Sequence, residues 1–180
     1  MAGMAVLDGT HRLDSALIEN PGLLQSHILR VLGKHCDGNA LFQMDDCRGV
    51  ASSSVMLLLG RQAVREGETP EICIILNKRS SKVPQPGDLC CPGGTVEKSL
   101  DPYLAKLLWL PGSPLSRWPH WEHYRSEQPQ HARLMSLLLA AGLRESWEEM
   151  RLNPFFTRFL GPLPAQCLLL FQRIIHPMVG

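Results

Sequence analysis

At 180 residues the chain is the size of a single domain and long enough to bury a core. Hydrophobic residues make up 44% of it and charged residues 19%, which excludes a disordered chain. The formal net charge is +1, so no bulk field draws the protein to nucleic acid or an acidic membrane, and any anionic ligand must be held locally.

Residues 1–20 show little pattern. They carry Asp8, Asp14 and Glu19 and lack a basic stretch leading into a long apolar run, which argues against a targeting peptide. From Gly22 to Leu32, "GLLQSHILRVL" has apolar residues at helical spacing after Pro21. A loop-like stretch follows. "ASSSVMLLLG" and "EICIILNKR" then read as two strands joined by the polar linker "RQAVREGETP". "KVPQPGDLCCPGG" reads as a loop or irregular strand.

Residues 102–130 hold three of the four tryptophans and much of the proline. The pattern from Ala132 to Leu152 is strongly helical, with Asn153-Pro154 as its stop. "FFTRFLGPLPAQCLLLFQRIIHPMV" supplies two further strand-like runs. The longest apolar runs fall far short of the roughly 20 residues that span a bilayer. None of the six cysteines shows C-x-x-C spacing, and they read as small buried hydrophobes in a reducing compartment. The expectation is a soluble, cytoplasmic protein with no membrane or nucleic-acid partner.

The stretch "GLRESWEEM" follows an apolar stripe that must be buried, and it gathers Glu145, Glu148 and Glu149 on one helix face. Like charges at this spacing cost only about 0.2–0.5 kcal/mol per pair, too little by itself to demand a bound cation. Upstream, "CPGG" lets the backbone approach a ligand closely at Gly93 and Gly94. A glycine carbonyl and three carboxylates are hard oxygen donors suited to Mg²⁺ or Mn²⁺, and Mg²⁺ shares its shell with substrate phosphates.

"PGG" followed by Arg144-Glu145-Ser146-Trp147-Glu148-Glu149 resembles the signature of the Nudix hydrolases, G-x5-E-x7-R-E-U-x-E-E-x-G-U with U apolar. The resemblance implies an α/β protein, an α/β/α sandwich with a mixed sheet. It implies that Glu145, Glu148 and Glu149, with the carbonyl of Gly93, bind Mg²⁺ or Mn²⁺, and that Arg144 holds a glutamate in place by charge-assisted hydrogen bonds. "IILNKRSSKVPQPGDLCCPGG" is similar to the element that marks coenzyme A diphosphatases within that family. Lys78, Arg79, Ser80 and Gly94 are then expected at the substrate, with Lys82 as a further candidate for phosphate oxygens. The implied substrate is a small-molecule nucleoside diphosphate derivative, most simply coenzyme A or an acyl-coenzyme A. An ADP-ribose or dinucleotide pyrophosphatase, and a catalytically weak nucleotide-binding module, are the alternatives.

Several positions depart from the signature. Leu100 stands where a carboxylate is wanted, with Asp101 one step later and Glu97 nearby; Arg151 replaces the late glycine; Cys91 replaces a phenylalanine. An insertion of about 102–131 lies inside the motif, so residues 1–48 are expected as an extension with one helix and 49–180 as the Nudix domain. His120, His123 and His131 in the insertion lack a nearby cysteine as fourth ligand, which disfavours zinc. Packing on the surface is a better reading of Trp118 and Trp121 than a lid over an adenine. Family members continue past the position of "HPMVG" with another strand and a helix, so a sheet ending there is expected to leave an open edge for a second copy, giving a homodimer, or for the N-terminal extension.

Overall fold

The computed structural model describes residues 20–36, 51–62, 71–80, 86–168 and 173–180. Lys82 and the boundary expected between residues 48 and 49 lie outside these. Helix α1, Pro21–Cys36, begins where the sequence places it. The Asn20 side chain accepts from the backbone N–H groups of Gly22 and Leu23, and Pro21 occupies the first turn, where no donor is missed.

Strand β1, Ala51–Gln62, organises the sheet. Its two halves pair antiparallel on one edge, with β2 (Glu71–Ile75) and with β5 (Gly93–Thr95). Its other edge pairs in parallel with β8, Arg173–Val179. The far edge of β8 is taken by β6 (Gly161–Pro162) and β7 (Gln166–Leu168), both antiparallel. The result is an α/β protein with a mixed six-stranded sheet and, among the described residues, four helices. β8 lies inside the sheet, paired along both edges. A separate two-stranded ribbon joins β3 (Asn77–Lys78) to β4 (Leu89–Cys90).

Alternation along β1 and β8 divides the core. Met56, Leu58 and Met178 face one side; Leu57, Leu59 and Val179 face the other, where Leu32 of α1 packs with Leu160. The first side is covered by helix α4, Pro129–Met150. Gly142 lets α4 approach β1: a Cβ there would lie 2.9 Å from Ser54 Oγ and 3.0 Å from Met56 Sδ.

Helix α4 stops earlier than Asn153-Pro154 suggests. Arg151 turns left-handed at φ 59°, its N–H bonds the Trp147 carbonyl, and Leu152 N–H bonds that of Ser146. This two-bond closure satisfies the last carbonyls and is normally built on glycine.

The insertion is core rather than surface packing. It forms α2 (Asp101–Leu107), a run of turns and α3 (Trp121–Glu127). Leu115, Trp118, Trp121 and Tyr124 are all buried in the main apolar cluster with Met135, Leu138 and Leu139 of α4. Trp118 Nε1 donates to the Leu160 carbonyl at 3.0 Å, tying the insertion to the residues that lead into β6. Cys167 is disulfide-bonded, unlike Cys73, Cys90 and Cys91, which are free thiols. That departs from the reading of Cys167 as a small buried hydrophobe, and Cys73, Cys90 and Cys91 are half-buried rather than buried. No described helix is long and apolar enough to cross a membrane.

Candidate functional site

The Arg144 guanidinium is the hub of the glutamate face, with its side chain only 8% exposed. Nε and Nη2 donate to Asp101 at 2.8 and 3.3 Å, Nη1 to Glu145 at 3.0 Å and Glu148 at 3.2 Å, and Nη2 also to the Thr95 carbonyl at 3.2 Å. These charges reinforce one another, and proton loss from Arg144 is made harder, chiefly by its hydrogen bond to Asp101.

Asp101 is the residue the spacing count passed over. It is fully buried, and besides Arg144 it accepts from the Glu97 N–H at 2.7 Å. Leu100, at the counted position, is the exposed residue ahead of α2. Asp101 reaches Arg144 from the first position of α2. The clue in sequence was Asp101 itself, directly before Pro102 at a helix start.

Gly93 and Gly94 bring β5 under α4. A Cβ on Gly93 would come within 2.3 Å of the Ser54 carbonyl oxygen, and one on Gly94 within 2.3 Å of Glu145 Oε1. Gly93 therefore needs glycine, because a Cβ would meet backbone, whereas a Cβ at Gly94 would displace the Glu145 carboxylate. Glu149 is oriented by the Gly93 N–H, which donates to Oε2 at 3.3 Å. The sequence had assigned the carbonyl of Gly93 as a ligand; the contact seen is through its N–H. Burial is the main cause that pushes the Glu145 carboxyl up, outweighing the opposing pull of Arg144.

The structure thus joins Gly93, Gly94, Arg144, Glu145, Glu148 and Glu149. Lys78, Arg79 and Ser80 sit on the β3–β4 ribbon, with Lys78 opposite Leu89 and the Arg79 N–H bonded to the Asp88 carbonyl. That ribbon runs through Cys91 and Pro92 directly into Gly93. Burial raises the Cys91 thiol, with a smaller contribution from Cys90. A raised thiol is less available as the thiolate nucleophile.

The donor set suits a hard divalent cation: carboxylates from one helix beside a backbone loop, with one or two protein carboxylates sufficient for Mg²⁺. Among the described residues, however, no three His, Cys, Asp or Glu side chains are gathered to share an ion, the three insertion histidines included. Glu145 and Glu148 instead turn to Arg144, and Glu149 to Gly93. Beside this site, an apolar cleft of about 260 Å³ is lined by Leu104, Leu107, Leu143, Arg144, Trp147 and Phe155. A larger cleft of about 400 Å³ lies between α1 and strands β1 and β2 and contains none of the candidate residues. No protein-family model matches the chain, and no curated protein matches it.

Proposed function

We propose that the protein is a Nudix-type hydrolase that uses Mg²⁺ or Mn²⁺ to cleave the diphosphate of a nucleoside diphosphate derivative, with coenzyme A or an acyl-coenzyme A as the favoured substrate. The observation that carries this reading is the Arg144 hub, which links Asp101 to Glu145 and Glu148 while Gly93 orients Glu149. The fully buried Asp101 holds Arg144, and through it the two glutamates, in one arrangement, as a preorganised site requires. The layering, with α1 over one sheet face and α2–α4 over the other, supports the finer fold assignment as an α/β/α sandwich of the Nudix type.

In this reading Glu145, Glu148 and Glu149 hold the cation. When bound, it neutralises diphosphate charge and makes an attacking water more acidic. Arg144 keeps Glu145 and Glu148 at fixed positions through two bonds from one nitrogen. Gly94 leaves room for the Glu145 carboxylate, and the ribbon carrying Lys78, Arg79 and Ser80 delivers cationic and hydroxyl groups towards substrate phosphates.

A second reading, a nucleotide-binding module with weak catalysis, is favoured by one observation: the glutamates are spread between Arg144 and Gly93 rather than gathered. Product analysis by mass spectrometry separates the two. Wild type and Glu149→Gln are incubated with Mn²⁺ and coenzyme A, ADP-ribose or a dinucleotide. The proposal expects 3′,5′-ADP and 4′-phosphopantetheine from coenzyme A with wild type alone. Cleavage of only another substrate moves the assignment within the family, and a folded wild type that cleaves nothing overturns the enzyme reading.

A further inference from the structure

Arg173 was not singled out by any sequence pattern, yet it stands one residue from the glycine loop. It opens β8, opposite Ala51 of β1 on one side and Leu168 of β7 on the other. Its Nη1 donates to Ser53 Oγ at 3.3 Å and to Thr95 Oγ1 at 3.2 Å. The Thr95 carbonyl meanwhile accepts from Arg144 Nη2 at 3.2 Å. Thr95 therefore sits between two guanidinium groups, and the residue before it, Gly94, lies against the Glu145 carboxylate.

The two arginines differ in charge balance. Arg144 is matched by Asp101, Glu145 and Glu148. Among the described residues, Arg173 meets two neutral hydroxyls, and no carboxylate lies within ion-pair distance of it. Two hydroxyl anchors fix one end of the guanidinium without cancelling its charge. A guanidinium has five N–H donors, and among the described residues Nε and Nη2 of Arg173 meet no acceptor. Arg173 is exposed, and a planar fork with unspent donors matches phosphate oxygens.

We propose that Arg173 is a substrate-binding residue of this site, donating to a phosphate oxygen of the nucleotide where it lies against Thr95 and Gly94. The inference rests on the reading of the site as one for nucleoside diphosphate derivatives. Ser53 and Thr95 are positioning residues: they aim the guanidinium and touch no substrate.

ADP binding measured by calorimetry in the presence of Mg²⁺ tests this, together with turnover of whichever substrate wild type cleaves. Arg173→Gln retains a side-chain donor for the two hydroxyls and removes the charge, so it should leave the melting temperature close to wild type. Its affinity for ADP should fall about tenfold or more, and KM should rise by a similar factor while kcat changes little. Arg173→Lys should recover part of the affinity, which a purely structural role does not predict. A folded Arg173→Gln that binds ADP as wild type does, or a wild type that binds no ADP, overturns the assignment. Arg173-dependent ADP binding with no cleavage of any substrate supports Arg173 while sinking the hydrolase reading. Should Arg173→Gln not fold, Arg173→Lys and Thr95→Val decide: ADP binding unchanged in both overturns the proposal.

Discussion

Asp101 shows how far one residue can matter here. Its carboxylate is fully buried and takes three donors, two from Arg144 and one from the Glu97 N–H. Removing one member of a buried ion pair leaves the other uncompensated, which costs about 3–5 kcal/mol. Asp101→Asn should therefore lower stability by about 3 kcal/mol in urea denaturation, and turnover should fall as Arg144 loses its anchor. Glu97→Gln, which leaves the backbone N–H in place, should change stability by less than about 1 kcal/mol. Motif counting could not find Asp101, because which carboxylate meets Arg144 depends on where α2 begins.

The same limit applies at Arg151. The sequence shows a charged residue where the resemblance wants glycine, but only the backbone shows that φ there is 59°. A left-handed conformation is strained for a residue with a Cβ. Arg151→Gly should raise stability by roughly 1 kcal/mol, read as a higher melting temperature.

Among the elements, α1, α4, β1 and β2 were legible because periodicity survives in long amphipathic or apolar runs. The insertion was not. Helices α2 and α3 have seven residues each, below the length that helix propensity alone supports, so packing rather than local pattern forms them. Trp118 is the strongest test of that packing: it is 2% exposed and hydrogen-bonded to Leu160. Trp118→Ala should cost about 3–5 kcal/mol, against well under 1 kcal/mol for a surface tryptophan. β1 carries the opposite case. Ser54 Oγ is buried under Gly142 and, among the described residues, has no hydrogen-bond partner. Ser54→Ala removes the unmatched hydroxyl and should leave stability unchanged or raise it by up to about 1 kcal/mol. Among the described residues, 155–179 hold three strands where the sequence suggests two, because β6 is only two residues long and one of them is Pro162.

Over the whole molecule, β8 couples the site to the fold. It is the interior strand beside β1, it begins at Arg173, and it buries His176 opposite Ser54. Burial holds the His176 imidazole down to about 4, against about 6.5 in an unfolded chain. Between these values the unfolded chain binds the extra proton, so stability is complete above about pH 6.5 and is lost as pH falls towards 4. Melting temperatures measured from pH 7 to pH 4 should drop across that window, and His176→Gln should flatten the drop.

The account turns on whether Glu145, Glu148 and Glu149 act together on a divalent cation. The gathering of those side chains on one helix face was readable in the sequence; their division between Arg144 and Gly93 was not, because rotamers follow the partners that folding supplies. The most direct measurement is a Mn²⁺ titration by electron paramagnetic resonance, with ADP present, on wild type and on the Glu148→Gln/Glu149→Gln double variant. The account predicts that wild type binds Mn²⁺ and that the folded double variant binds it at least about tenfold more weakly, a loss of about 1.4 kcal/mol or more. Equal Mn²⁺ binding by both proteins, or none by a folded wild type, would contradict it.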